Sequence, residues 1–111
     1  MLSQLVGEPS VSSTSADIDR SNLRVIEHLG NWLNDLGFST ELMPLPGRPD
    51  KANLIATLGP APREGRGGLV LAGHTDTVPF DESLWQSDPF KLKDTDDAFY
   101  GLGSCDMKGF F

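Results

Sequence analysis

Between Gly68 and Gly73 the chain reads Leu69-Val70-Leu71-Ala72, four apolar residues with no polar alternation, and then runs straight into His74-Thr75-Asp76. A strand with one wet face alternates apolar and polar residues; an unbroken apolar strand needs cover on both faces, which a sheet layered with helices supplies. The segment therefore predicts an α/β architecture. It also places His74 and Asp76 just past the carboxyl end of a buried strand, where α/β sheets gather their ligands.

The neighbouring segments suit that architecture. Val25, Ile26, Leu29, Trp32, Leu33 and Leu36 recur at helical spacing, and Gly37 stands where a left-handed cap closes a helix, so an amphipathic helix is expected over about residues 20–36. Ser39–Leu45 and Asn53–Leu58 are short apolar segments bounded by Gly and Pro and read as strands. Pro60–Gly68, rich in Pro, Gly and charge, reads as an exposed connection. From Thr75 to Ala98 the chain is acidic and broken by Pro79 and Pro89, with Phe80, Trp85 and Phe90 as apolar anchors; loops of this length carry function. Inside it, Phe90–Lys93 and Ala98–Gly101 flank Asp94-Thr95-Asp96-Asp97 as a hairpin. Leu2 to Val6 reads as the tail of a longer first helix, and Gly109-Phe110-Phe111 as the opening of a buried helix, so the chain is expected to be part of a larger protein.

At 111 residues one core is the most to expect. Sixteen acidic residues against nine basic ones, a net charge of -7, leave no electrostatic footprint for nucleic acid or an anionic membrane, and neither is expected as a partner. The longest apolar run falls far short of the roughly 18 residues of a membrane span. No basic segment precedes an apolar run at the start, so a secretory signal is not expected and the cytoplasm is the expected location. Cys105 is the one cysteine, which rules out an internal disulfide and any multi-cysteine zinc module. A metal would have to be held by histidine and carboxylates.

His74 and Asp76 are the first candidates. In extended backbone residues two apart share a face, so the Asp76 carboxylate can hydrogen-bond one imidazole nitrogen and leave the other for a metal. A chance His-x-Asp arises about one time in five in a chain like this, and a solvated loop histidine beside a turn aspartate remains the plain alternative. Asp106 follows in Gly101-Leu102-Gly103-Ser104-Cys105-Asp106-Met107-Lys108-Gly109, where a helix is expected to begin. Two readings stand for it: a helix N-cap, or a carboxylate whose two oxygens bridge a pair of cations about 3.5–4 Å apart. His28 shares a helix face with Arg24, Asn31 and Asp35 and reads as a solvated surface residue; Lys108 reads as a first-turn surface residue. Cys105 has no second histidine placed to activate it, Asp106 occupies the third glycine position of a dinucleotide loop, and Ser104 is not framed as a nucleophile elbow.

Gly73-His74-Thr75-Asp76-Thr77-Val78-Pro79, then Trp85, Asp88-Pro89-Phe90, Tyr100-Gly101-Leu102-Gly103 and Asp106-Met107-Lys108-Gly109 together resemble the dinuclear zinc aminoacylase and carboxypeptidase (M20-type) family. Pro9-Ser10-Val11-Ser12 and Trp32–Phe38 are similar to its early segments, so the likeness runs from about Glu8 to Phe111. The resemblance implies the N-terminal part of a mixed-sheet, helix-covered metallohydrolase catalytic domain spanning 1–111, with the rest of that domain and a dimerisation domain outside the chain. It implies two zinc or cobalt ions, with His74 as ligand of one, Asp106 bridging both, and Asp76 as the catalytic-site residue behind His74. The peptide after Asp106 is expected to be cis. The implied activity is metal-dependent amide hydrolysis of a small N-acyl amino acid by a homodimer, with desuccinylases and dipeptidases using the same metals. A general-base glutamate and the remaining ligands lie outside these residues, so the 111 residues alone are expected to bind zinc weakly and hydrolyse nothing. A non-catalytic binding module stays open as the other class.

Overall fold

Helix α2 (Leu23–Asp35) is the centre of the core. Val25, Ile26 and Leu29 carry its apolar stripe and are all buried; Leu5, Val25 and Leu29 form the core cluster, with Trp32 and Leu54 packed against it. Each such side chain contributes about 1.5–3 kcal/mol on burial. The computed structural model describes residues 1–60 and 67–111; most of the expected connection between Pro60 and Gly68, from 61 to 66, lies outside them.

The helix starts three residues later than its apolar spacing suggests. Asn22 stands at the N-cap without capping: its amide is spent on β2 instead, donating to the Ala52 carbonyl at 2.9 Å and accepting from the Ala52 N–H at 3.0 Å. At the other end Gly37 has φ +86°, Phe38 N–H donates to the Leu33 carbonyl and Gly37 N–H to the Asn34 carbonyl, the paired bonds of a Schellman cap. The cap turns the chain off the core early, and Leu36, expected on the buried face, is 68% exposed.

Strands β1 (Ser39–Leu45) and β2 (Arg48–Thr57) form an antiparallel hairpin with Ser39 opposite Thr57 and Leu42 opposite Leu54, irregular between Pro44 and Leu45. The second strand begins earlier than its apolar residues do because Gly47, at φ +74°, lets pairing start directly after the turn. A short helix, α1 (Leu2–Gly7), buries Leu5 and Val6 beside α2. The acidic loop contains the expected hairpin in shortened form, β3 (Lys93–Asp94) paired antiparallel with β4 (Phe99–Tyr100). Phe80 packs edge-on against both Trp85 and Phe90, so the three apolar anchors of that loop form one cluster with ring centroids 5.4–6.4 Å apart. Helices and antiparallel strands together give an α/β structure.

Two expectations are corrected. Leu69–Ala72 has no ladder partner among the described residues, and Leu69 and Val70 are each 86% exposed. A strand is buried by its neighbours; β1 and β2 satisfy each other, and none of the described strands lies beside 69–72. Without a flanking strand among the described residues, the apolar side chains there stay exposed. The expected buried helix after Asp106 is a single 3-10 turn, Lys108–Phe110, with Phe110 and Phe111 both exposed.

Candidate metal centre

His74 and Asp76 owe their direction to the residues beside them. The chain at 75–77 lies against the segment at 10–12: Thr77 N–H donates to the Ser10 carbonyl at 3.0 Å, Ser12 N–H to the Thr77 carbonyl at 2.8 Å, and the buried Ser10 hydroxyl to the Thr75 carbonyl at 2.7 Å. Asn22, held at both ends by Ala52, donates to the Thr75 hydroxyl at 3.0 Å. Thr75 and Thr77 are therefore fixed inward, and the two-residue period of extended backbone turns His74 and Asp76 outward on the same face. Asp76 meets His74 Nδ1 with both its carbonyl, at 3.1 Å, and its carboxylate, at 3.3 Å.

Asp106 arrives from the glycine-rich turn. Gly103 has φ +79°, and a Cβ built on it would lie 2.5 Å from the Thr77 methyl, so the turn runs directly over the residue that follows Asp76. At Gly73 a Cβ would sit about 3 Å from Phe110, Phe111 and Met107. These close approaches bring Asp106 Oδ1 to 2.9 Å from His74 Nε2. The Asp106–Met107 peptide is cis, as expected. The N-cap reading of Asp106 fails: the following turn has no side-chain cap, and this carboxylate is committed to His74.

Burial pulls the His74 imidazole down, but the hydrogen bond to Asp106, the one to the Asp76 carbonyl and the charges of both aspartates outweigh it and raise its pKa above the usual histidine value. With the ring protonated, Nδ1–H donates to Asp76 and Nε2–H to Asp106. The proton on Nε2 holds a place that a cation could take, so metal entry here would release it.

The donor set suits a divalent ion. One imidazole nitrogen and one carboxylate oxygen are borderline ligands of the kind zinc and cobalt accept. Shared tetrahedral coordination would need an N···O separation of about 3.3 Å, a few tenths of an ångström wider than the present hydrogen bond. The Asp106 side chain is 77% exposed, and its second oxygen makes no bond among the described residues, which leaves it available to a second ion. Among the described residues no three histidine, cysteine or acidic side chains are arranged to hold one metal ion, so they offer two candidate ligands where one zinc needs three or four.

The model of the peptidase family M20/M25/M40 matches residues 70–111, the stretch that runs from the exposed apolar segment through His74, Asp76 and Asp106. Across all 111 residues the chain is 60% identical to the acetylornithine deacetylase of Pasteurella multocida, of which it covers 28%. The chain belongs to the M20-type peptidase family. The acetylornithine deacetylases of Proteus mirabilis and Photorhabdus laumondii are 55% and 54% identical to it over 97% of the chain, and it covers 27% of each. The M20-type chain thus spans little more than a quarter of the length of the curated relatives it matches.

Lys108 was misread by sequence reasoning. It is 1% exposed, and its ammonium donates to the Leu5 and Glu8 carbonyls, both at 2.7 Å, at the C-terminal end of α1. Burial pushes it down to about 8, with the Glu8 charge pulling the other way. The available signal was its surroundings: a lysine between Met107 and Gly109 in a turn with three glycines has no helix face on which to be solvated. His28, expected in solvent, is instead partly covered; it stacks on Trp32 at 5.7 Å and lies 3.3 Å from Glu8. Cys105 is exposed.

Proposed function

We propose that the protein to which these residues belong is a metal-dependent amidohydrolase that cleaves N2-acetyl-L-ornithine into L-ornithine and acetate, a step of arginine biosynthesis in the cytoplasm. The single observation that carries the reading is the convergence of His74 Nε2 and Asp106 Oδ1 at 2.9 Å, with Asp76 behind the ring. The identity with acetylornithine deacetylases over the whole chain supports the choice of substrate. In this reading residues 1–111 are the N-terminal part of the catalytic domain, and the complete protein is a homodimer.

His74, through its imidazole, and Asp106, through its carboxylate, would be among the residues that hold the ions. A zinc or cobalt pair would supply bound water acidified to near neutrality and a Lewis acid for the amide carbonyl. Asp76 keeps the Nδ1 proton of His74 in place, which presents Nε2 as the free donor and raises its basicity. The proton transfers to the leaving amine need a general base that these residues do not provide.

The test is hydrolysis by the full-length protein, dialysed and reloaded with zinc or cobalt, of acetylornithine against succinyl-diaminopimelate. Turnover of acetylornithine that chelation removes, and that His74→Ala or Asp106→Asn abolishes, is expected. Preference for the succinyl substrate would reassign the reaction to a desuccinylase, and activity or thermal stability indifferent to chelation would remove the metal from it.

A further inference from the structure

The turn that carries Asp106 is fastened to the protein at one buried polar point. Lys108 N–H donates to the Gly103 carbonyl at 2.8 Å, closing the turn, while its side chain runs inward past Gly103 to the end of α1. There the ammonium donates to both the Leu5 carbonyl, which also receives the capping Glu8 N–H at 3.4 Å, and the Glu8 carbonyl, at the C-terminal end of the helix. Side chain and main chain of one residue thus fix the turn to α1 and to itself. The carboxylate two residues earlier is 77% exposed, and its contact with His74 gives it no buried anchor of its own.

We propose that Lys108 is a positioning residue for the metal centre: by hanging the Asp106 turn from the last carbonyls of α1, it sets where the Asp106 carboxylate meets His74. The proposal rests on the metal reading above, and it adds that the end of α1 is part of the support of the site. A displacement of the turn by a few tenths of an ångström changes the N···O span by as much as ion entry itself requires. Loss of the anchor should therefore appear in metal affinity before it appears anywhere else.

The experiment titrates zinc alone into the metal-free full-length protein, in competition with a chromophoric chelator, for the wild type and for Lys108→Met, Lys108→Gln and Leu29→Ala. Leu29→Ala loosens the core around α2 without touching the turn and reports the effect of lost stability alone. Affinity about tenfold lower or more in the Lys108 variants, at thermal midpoints no lower than that of Leu29→Ala, with Leu29→Ala within twofold of wild type, is the expected result. Wild-type affinity in a folded Lys108 variant overturns the proposal, as does an equal loss in Leu29→Ala at matched stability. Failure of both Lys108 variants to fold while Leu29→Ala folds makes Lys108 a purely structural residue and overturns it too. A wild-type protein that binds no zinc, or whose zinc binding survives His74→Ala, is a different failure: it removes the metal reading itself.

Discussion

Gly103 offers a perturbation whose size can be worked out in advance. Its φ of +79° lies in the left-handed region, where an L side chain costs about 1–2 kcal/mol. Independently, the added methyl of Gly103→Ala would stand 2.5 Å from the Thr77 methyl, and Thr77 is 3% exposed, so that methyl has little room to retreat. Overpacking of this kind costs about 1–3 kcal/mol, for a total of about 2–5 kcal/mol. The two terms separate in a double-mutant cycle, because Thr77→Ser removes the opposing methyl and leaves the backbone term. Urea unfolding of the full-length wild type, Gly103→Ala, Thr77→Ser and the double variant should show the glycine substitution costing about 1–3 kcal/mol less in the serine background. A cost that is the same in both backgrounds refutes the steric half of the reasoning. A cost below about 1 kcal/mol in the double variant refutes the conformational half.

Three further outcomes are expected. The Thr77 hydroxyl is buried without a partner among the described residues, so Thr77→Val, which keeps the shape, should leave stability unchanged or raise it by about 1 kcal/mol; a loss beyond 1 kcal/mol in urea would show that the hydroxyl is bonded. Asp19 is held down to about 2 by the Ser13 N–H first, then Lys51 and Arg48. Its folded pKa is below its unfolded one, so its stabilisation is full above the usual carboxylate range and is lost as pH falls from about 4 towards 2. Asp19→Asn should flatten the acid limb of thermal stability in that window, and an unchanged slope would contradict the assignment. Finally, the 111 residues purified alone should bind zinc weakly and hydrolyse no acetylornithine, and measurable turnover would show that the two ligands here suffice.

What could be read from the sequence was what local physics decides. Helix α2, its glycine cap and the hairpin after Lys91 follow from periodicity and turn chemistry, and the structure moves their bounds by a few residues. His74 stood out by its pairing with Asp76 two residues on, and Asp106 by the glycine-rich segment that carries it. What escaped was decided by groups distant in the chain. The start of α2 depends on Asn22 preferring Ala52, thirty residues away, and nothing in residues 20–24 announces that choice. Lys108 was assigned to solvent by residue type, and only its bonds to the Leu5 and Glu8 carbonyls reverse that. Leu69–Ala72 shows the opposite case: its apolar pattern was read as a buried strand, and among the described residues it is an exposed, unpaired segment.

The tether between Lys108 and Leu5 joins positions 103 residues apart. During synthesis at about 5–20 residues per second, the first helix leaves the ribosome roughly 5–20 s ahead of the ammonium that ends it. Until then the Leu5 and Glu8 carbonyls lack the ammonium that joins them in the folded protein. The fastening of residues 2–8 therefore waits for residue 108, and truncations upstream of that position should leave that segment open to proteases.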